Sequence, residues 1–128
     1  MYTLLVLFSA IALCNALSGQ VELWKLNNQA LTLNIDPSKG TVNIVLTGDS
    51  TQWIGVGFNG TDMNNTYAFV ADYDSDVIYE LKLGSGLCSP QCDKQLTKRF
   101  TVNSNTVSNG VRTVNITRPI NDNAGSDY

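Results

Sequence analysis

Short runs of β-favouring residues, separated by clusters of turn-forming residues, recur along most of this 128-residue chain. The runs are rich in Val, Ile, Thr, Tyr and Trp, and no stretch has the period of an amphipathic helix. Regularly spaced short strands of this kind are typical of all-β sandwiches. The sequence therefore predicts one all-β domain folded as an antiparallel sandwich, with Asn109-Gly110 as a tight hairpin turn. The predicted strands are residues 21–26, 31–35, 42–46, 53–58, 67–71, 77–83, 98–102 and 111–116.

An uninterrupted apolar run occupies residues 4–13. It is too short to span a bilayer, which takes roughly 20 apolar residues, but it has the length of the hydrophobic region of a signal peptide. The small residues that follow predict cleavage after Ala16, with Ser18 as the alternative position. A buried strand and an uncleaved anchor are the other readings of this run. We expect residues 1–16 to be a signal peptide, the mature chain to be secreted, and no later segment to span a membrane.

The chain carries 8 Lys and Arg residues against 11 Asp and Glu residues, which gives a net charge of −3. No basic stripe is present to neutralise phosphates, so nucleic acid is not an expected partner. Of the three cysteines, Cys14 lies in the predicted signal peptide. Cys88 and Cys92, separated by Ser-Pro-Gln, predict a local disulfide in an oxidising compartment. Zinc is the rival reading for close cysteines, but it needs about four ligands, and this chain has no histidine and no second cysteine pair to supply them.

Three sequons of the form Asn-x-Ser/Thr occur in the predicted mature chain, at Asn59, Asn64 and Asn115. Each predicts an N-linked glycan if the asparagine is exposed in a eukaryotic secretory route. Chance occurrence is the alternative in a chain this rich in Asn and Thr. Asn115 falls inside a predicted strand, so a glycan there requires its side chain to point outward.

Two glycines interrupt the apolar strand at residues 53–58. Gly55 and Gly57 are two positions apart, so both bare positions fall on the same face of the strand. Glycine inside a strand often marks a close approach by a ligand, a ring or a neighbouring backbone. One reading is that a flat apolar ligand lies against this face. The other is that Trp53 or Trp24 packs over the glycines within the core.

Two motifs carry the most specific information in the chain. The first is Trp53-Ile-Gly-Val-Gly-Phe with Met63 downstream, followed by Tyr67-Ala-Phe-Val-Ala-Asp, and the second is Arg112-Thr-Val-Asn-Ile-Thr-Arg118-Pro-Ile. Together they resemble the DOMON domain family, over residues 20–128. The resemblance implies an extracellular Ig-like β-sandwich that binds haem or sugar ligands. It also implies that the last one or two strands of the family fold have no counterpart in this sequence.

In the haem-binding branch of that family, a methionine just after the glycine-containing strand is one axial ligand of a b-type haem. Met63 matches it by position, and the resemblance makes it the candidate ligand. The family's second ligand is a histidine near the end of the domain, and this sequence contains none. A thioether is normally paired with imidazole in such centres. Haem b is therefore a candidate cofactor only with a second ligand from outside this chain, and a redox partner would then be expected.

The remaining sequence patterns say less about function. Asp72, Asp74 and Asp76 alternate like calcium ligands, but the Gly and Glu that an EF-hand loop requires are replaced by Val77 and Leu83, which favours a solvated turn. Histidine-dependent nucleophilic catalysis is excluded, and the acidic residues cluster in turns, so we do not expect an enzyme. Arg118, with Asp122 and Asp127 nearby in sequence, is interpreted as a structural ion pair rather than as a ligand contact.

Three functions follow from these observations. The first is a secreted DOMON-like module that binds a sugar or another small ligand. The second is a haem-carrying electron-transfer domain that uses Met63. The third is a structural or protein-interaction sandwich.

Overall fold

The computed structural model describes residues 17–24, 29–58, 64–84 and 93–121. These residues form two sheets, a five-stranded sheet in the order β1-β2-β3-β9-β8 and a four-stranded sheet in the order β4-β5-β6-β7. All neighbouring strands are antiparallel, which confirms the predicted all-β sandwich. The strands are β1 (Leu17–Trp24), β2 (Gln29–Asp36), β3 (Thr41–Asp49), β4 (Ile54–Phe58), β5 (Tyr67–Ala71), β6 (Ile78–Lys82), β7 (Lys94–Gln95), β8 (Thr101–Ser108) and β9 (Val111–Pro119).

The chain builds each sheet from consecutive strands and crosses between the sheets twice. After β3, residues 50–53 lead into the four-stranded sheet, and after β7, residues 96–100 lead back. β8 then forms an edge of the five-stranded sheet, and β9 inserts between β8 and β3. This long-range pairing places the last strand in the interior of its sheet.

Most strands differ from their predicted limits by one to three residues, β7 was not predicted, and β1 and β8 differ most. Residues 98–100 lie outside any strand, and β8 runs from Thr101 to Ser108 instead. The hydrophobic pattern did not reveal the full length of β8, because its side chains are mostly polar and exposed, as an edge strand permits. β1 begins at Leu17, four residues earlier than predicted. The predicted hairpin turn between β8 and β9 is confirmed, since Asn109 and Gly110 both have positive φ, at 50° and 78°.

Alternating residues of both sheets fill the space between them. Every second residue is buried along much of β3, β4 and β9. Leu96 and Phe100 from the second crossing complete the core. Gly48 of β3 leaves room for Ile54 of β4, which is fully buried, and a Cβ at position 48 would collide with the Ile54 side chain. A void among the described core residues, lined by Ile44, Val56, Phe69 and Val114 among others, measures about 10 Å³, about the size of one water molecule. This part of the core therefore has no room for a ligand.

The turns around β3 are closed by aspartates. Asp36 Oδ1 accepts hydrogen bonds from the backbone N and hydroxyl of Ser38, at 3.1 and 2.5 Å. The Ser38 hydroxyl and then Lys39 lower the pKa of Asp36 to about 2. At the other end of β3, Asp49 accepts from the backbone N and hydroxyl of Thr51, and these bonds lower its pKa as well. Both carboxylates stabilise the turns that set the strand register.

Candidate binding surfaces

The glycines of β4 face outward from the sandwich. Ile54 and Val56 are buried in the core, so Gly55 and Gly57 lie on the opposite, outer face of the four-stranded sheet. Gly57 is exposed and Gly55 half-buried. Gly55 and Gly57 therefore form a glycine strip on this face, which the side chains of Val70 and Thr66 flank closely.

Trp53 lies beside this strip and not within the core. Its side chain is 61% exposed, and its Cζ3 atom lies 3.4 Å from the point where a Cβ of Gly55 would be. Trp53 thus lies against Gly55 but not against Gly57, and it does so on the surface, so the expectation that it packs over both glycines within the core is wrong. The reason is the phase of the strand, because Ile54 and Val56 take the core-facing positions of β4.

Neighbouring strands continue this outer face. Gly55 pairs with Val70 of β5, and Val70 pairs with Tyr79 of β6, so the three positions form one row across the sheet. Val70 and Tyr79 are half-buried. Three adjacent strands span about 10 Å. We call the surface formed by Trp53, Gly55, Gly57, Val70 and Tyr79 the Trp53 face.

A second group of side chains connects the two sheets at the end of the sandwich where β4 ends and β5 begins. The Tyr67 hydroxyl donates to Glu80 Oε1 at 2.5 Å and accepts from Arg118 Nη1 at 2.6 Å. Glu80 is only 2% exposed, and its second oxygen accepts from the backbone N of Arg99 at 2.8 Å. We call Tyr67, Glu80 and Arg118 the Tyr67 network.

Aromatic rings surround the Tyr67 network. Tyr67 packs edge-on against Phe69, with ring centroids 5.3 Å apart, and Phe69 packs in the same way against Phe100 at 5.2 Å. Phe58 lies 6.2 Å from the Tyr67 ring. The network is therefore anchored in the packed core and makes its polar contacts there. The contacts described for Arg118 support a structural role, while its predicted partners Asp122 and Asp127 lie outside the described residues.

Arg112 makes a third polar cluster between the sheets. Its side chain is 3% exposed, and it donates from Nε to Asn105 Oδ1 at 2.9 Å and from Nη2 to the Ser75 carbonyl at 3.0 Å. Nη1 donates to the Asp72 carbonyl. The guanidinium thus binds the backbone oxygens of the turn that carries the three alternating aspartates. Within the described ranges, no three acidic or sulfur-bearing side chains are grouped to hold a metal ion.

Sequence reasoning did not single out Arg112 or Glu80, although a signal was present. Arg112 shares the phase of Val114 and Ile116 on β9, and both of these are buried. Glu80 shares the phase of the buried Ile78 on β6. A charged residue at a core-facing position of an alternating strand predicts a buried ion or hydrogen-bond partner.

The sequence-predicted site residues fall in different parts of the chain. Met63, Cys88, Cys92 and Asn59 lie outside the described residues, so the haem ligand and the disulfide stay predictions. Asn64 is exposed, in the turn before β5. Asn115 is half-buried on β9 and alternates with the buried Val114 and Ile116, so it faces outward as a glycan would require.

Comparisons with family models, with curated proteins and with solved structures found no match to this chain. The resemblance to the DOMON family therefore stays a prediction, while the sandwich fold is shown by the sheets themselves. Among the described residues there is no helix with the length and apolar character needed to cross a membrane.

Proposed function

We propose that this chain is a secreted, non-catalytic module of the DOMON type that binds a flat ligand, with a sugar as the favoured class, on the Trp53 face. The observation that carries the proposal is the exposed Trp53 indole beside two outward-facing glycines. An exposed indole presents a large apolar ring with one polar N–H, a combination that suits ligands with both apolar and hydroxyl-bearing surfaces.

The chemistry of the surface favours a sugar. The exposed indole offers a flat apolar ring for the C–H face of a pyranose. Tyr79 lies in the same row and is half-buried, so it adds a second aromatic residue to this face. An open, shallow surface of about 10 Å holds one or two rings, so we expect weak, millimolar to micromolar affinity for a single sugar.

Affinity electrophoresis through gels that contain soluble neutral polysaccharides tests this function. We expect at least one polysaccharide to retard the protein, and Trp53→Ala to remove the retardation. Tyr73→Ala is the matched control, since Tyr73 is also exposed, at 56%, but lies in the turn after β5. Equal retardation of Trp53→Ala and the unaltered protein would exclude the Trp53 face.

Haem binding fits the described residues less well. The void that the described core residues line between the sheets measures about 10 Å³, which is far too small for haem. The chain has no histidine to pair with Met63, and a b-type centre normally needs that second strong ligand. Titration of the purified protein with haemin, followed by its Soret absorbance, distinguishes the two functions. A Soret shift that Met63→Ala abolishes would favour haem over a sugar.

A further inference from the structure

The outer face of the five-stranded sheet is neutral around Asn115. Its cross-strand neighbours are Val45 of β3 and Ser104 of β8, and its neighbours along β9 on the same face are Thr113 and Thr117. All of these side chains are short and uncharged. A bulky group attached to Asn115 therefore meets no long side chain among its directly paired neighbours.

Two asparagines from the adjacent strands converge on Asn115. Asn43 Nδ2 donates to Asn115 Oδ1 at 2.6 Å, and Asn103 Nδ2 donates to the same oxygen at 2.8 Å. Both also donate to the hydroxyl oxygen of Thr117, at 3.3 and 2.7 Å. The Asn115 carbonyl oxygen and the Thr117 hydroxyl are thus held by the same pair of donors. These two residues are the first and third positions of the sequon.

The backbone fixes which atom of the Asn115 amide faces its neighbours. Asn43 Nδ2 also donates to the Ile116 carbonyl at 3.2 Å, and a carbonyl oxygen only accepts, so the nitrogen of Asn43 must lie on this side. That nitrogen requires an acceptor on Asn115, which is Oδ1. Within the part of the chain that the structure describes, Asn115 Nδ2 takes part in none of these hydrogen bonds.

From this geometry we propose that Asn115 carries an N-linked glycan, which projects from the centre of the outer face of the five-stranded sheet. The folded state uses only the oxygen of the Asn115 amide and leaves the nitrogen for the sugar. Attachment therefore breaks none of the hydrogen bonds that fix the amide, although Asn115 is half-buried in the middle of a sheet. The proposal requires that the chain passes through the secretory pathway, and it does not depend on what the Trp53 face binds.

The modification is an ordinary group transfer. The Asn115 Nδ2–C1 bond to the first N-acetylglucosamine forms, and the bond from that C1 to the oxygen of a polyprenyl diphosphate donor breaks. The nitrogen loses one proton, and the diphosphate leaves with the bonding electron pair. A glycan at this position covers the outer face of the five-stranded sheet and leaves the opposite, Trp53 face open.

Peptide mapping by mass spectrometry tests the proposal on the full chain, expressed in a glycosylating eukaryotic host and recovered from the medium. We expect the peptide that contains Asn115 to carry an oligosaccharide, and treatment with peptide N-glycosidase to release it and convert Asn115→Asp. Recovery of unmodified Asn115 in most of the secreted protein would overturn the proposal, whatever is found at Asn59 or Asn64.

A matched pair of variants confirms the assignment. Thr117→Ser keeps both the sequon and the hydroxyl that accepts from Asn43 and Asn103, and we expect it to retain the glycan. Thr117→Val keeps the shape of the side chain and destroys the sequon, and we expect one glycan fewer per chain. An unchanged electrophoretic mobility of Thr117→Val relative to Thr117→Ser would contradict glycosylation at Asn115.

Discussion

Arg118 of β9 and Tyr67 of β5 lie in different sheets, and Arg118 Nη1 donates a hydrogen bond of 2.6 Å to the Tyr67 hydroxyl. The guanidinium carbon lies 5.1 Å from the centre of the Tyr67 ring, a distance at which a cation is attracted to the ring face. The same hydroxyl donates to the buried carboxylate of Glu80. One phenol therefore links a cation in one sheet to an anion in the other, in surroundings of low polarity where such bonds are strong.

The Tyr67 hydroxyl should contribute measurably to stability. Tyr67→Phe keeps the ring contacts with Phe58 and Phe69 but removes the bonds to Glu80 and Arg118. We expect the free energy of unfolding to fall by about 1–3 kcal/mol, because a buried charged group loses a partner. Urea denaturation measures the change. Tyr79→Phe is the control, and since Tyr79 lies on the outer face its loss should stay within about 0.5 kcal/mol. Equal losses in both variants would contradict the role of the network.

Arg112 should be among the least replaceable residues of the chain. Arg112→Met removes the donor of three hydrogen bonds and leaves their neutral acceptors unsatisfied, so we expect a loss of about 1–3 kcal/mol in the free energy of unfolding. Arg112→Lys keeps the charge but not the planar fork of donors, so an intermediate loss is expected. Amide hydrogen exchange of residues 72–77 should accelerate in the lysine variant. Lys39→Met, at an exposed ion pair, should cost less than about 1 kcal/mol.

Gly48 should not tolerate a side chain. A Cβ at this position collides with the Cγ2 atom of Ile54, which is fully buried and has no free space to move into. We expect Gly48→Ala to lower the free energy of unfolding by about 1–3 kcal/mol through overpacking. On the outer face, a Cβ at Gly57 would lie 2.9 Å from the methyl group of Thr66, a less severe overlap than the one at Gly48, so the loss in Gly57→Ala should be smaller. Thermal unfolding of both variants gives the comparison, and a larger loss in Gly57→Ala would refute this view of the core.

Asp36 should titrate at unusually low pH. The Ser38 hydroxyl is the largest cause that lowers its pKa from 3.8 to about 2. Because the folded-state pKa lies below the unfolded value, the carboxylate stabilises the fold above about pH 4, and this contribution disappears as the pH falls through about 2. Titration of the carboxyl carbon by NMR measures the midpoint. Ser38→Ala should raise it towards 3.8, and an unchanged midpoint in that variant would assign the shift to another cause.

Much of the fold could be predicted from local patterns. Period-two alternation located most strands, and the Asn109-Gly110 pair located the hairpin, because both signals depend only on residues close in sequence. β8 escaped this reading because an edge strand with polar side chains on both faces has no apolar alternation to detect. The sequence also did not determine that Gly55 and Gly57 face outward. An alternating pattern separates the two faces of a strand but does not say which face packs against the other sheet.

The amino-acid sequence by itself determined the all-β class and the two-residue alternation of most strands. Tertiary structure alone decided which face of each strand is covered and which partners the buried charged side chains take. Arg112 reaches Asp72 across 40 positions of sequence, and Arg118 reaches Tyr67 across 51. These contacts arise because β9 returns to pair with β3 and faces the other sheet, and no local signal encodes that return. The same packing filled the centre of the sandwich and left Trp53 outside it.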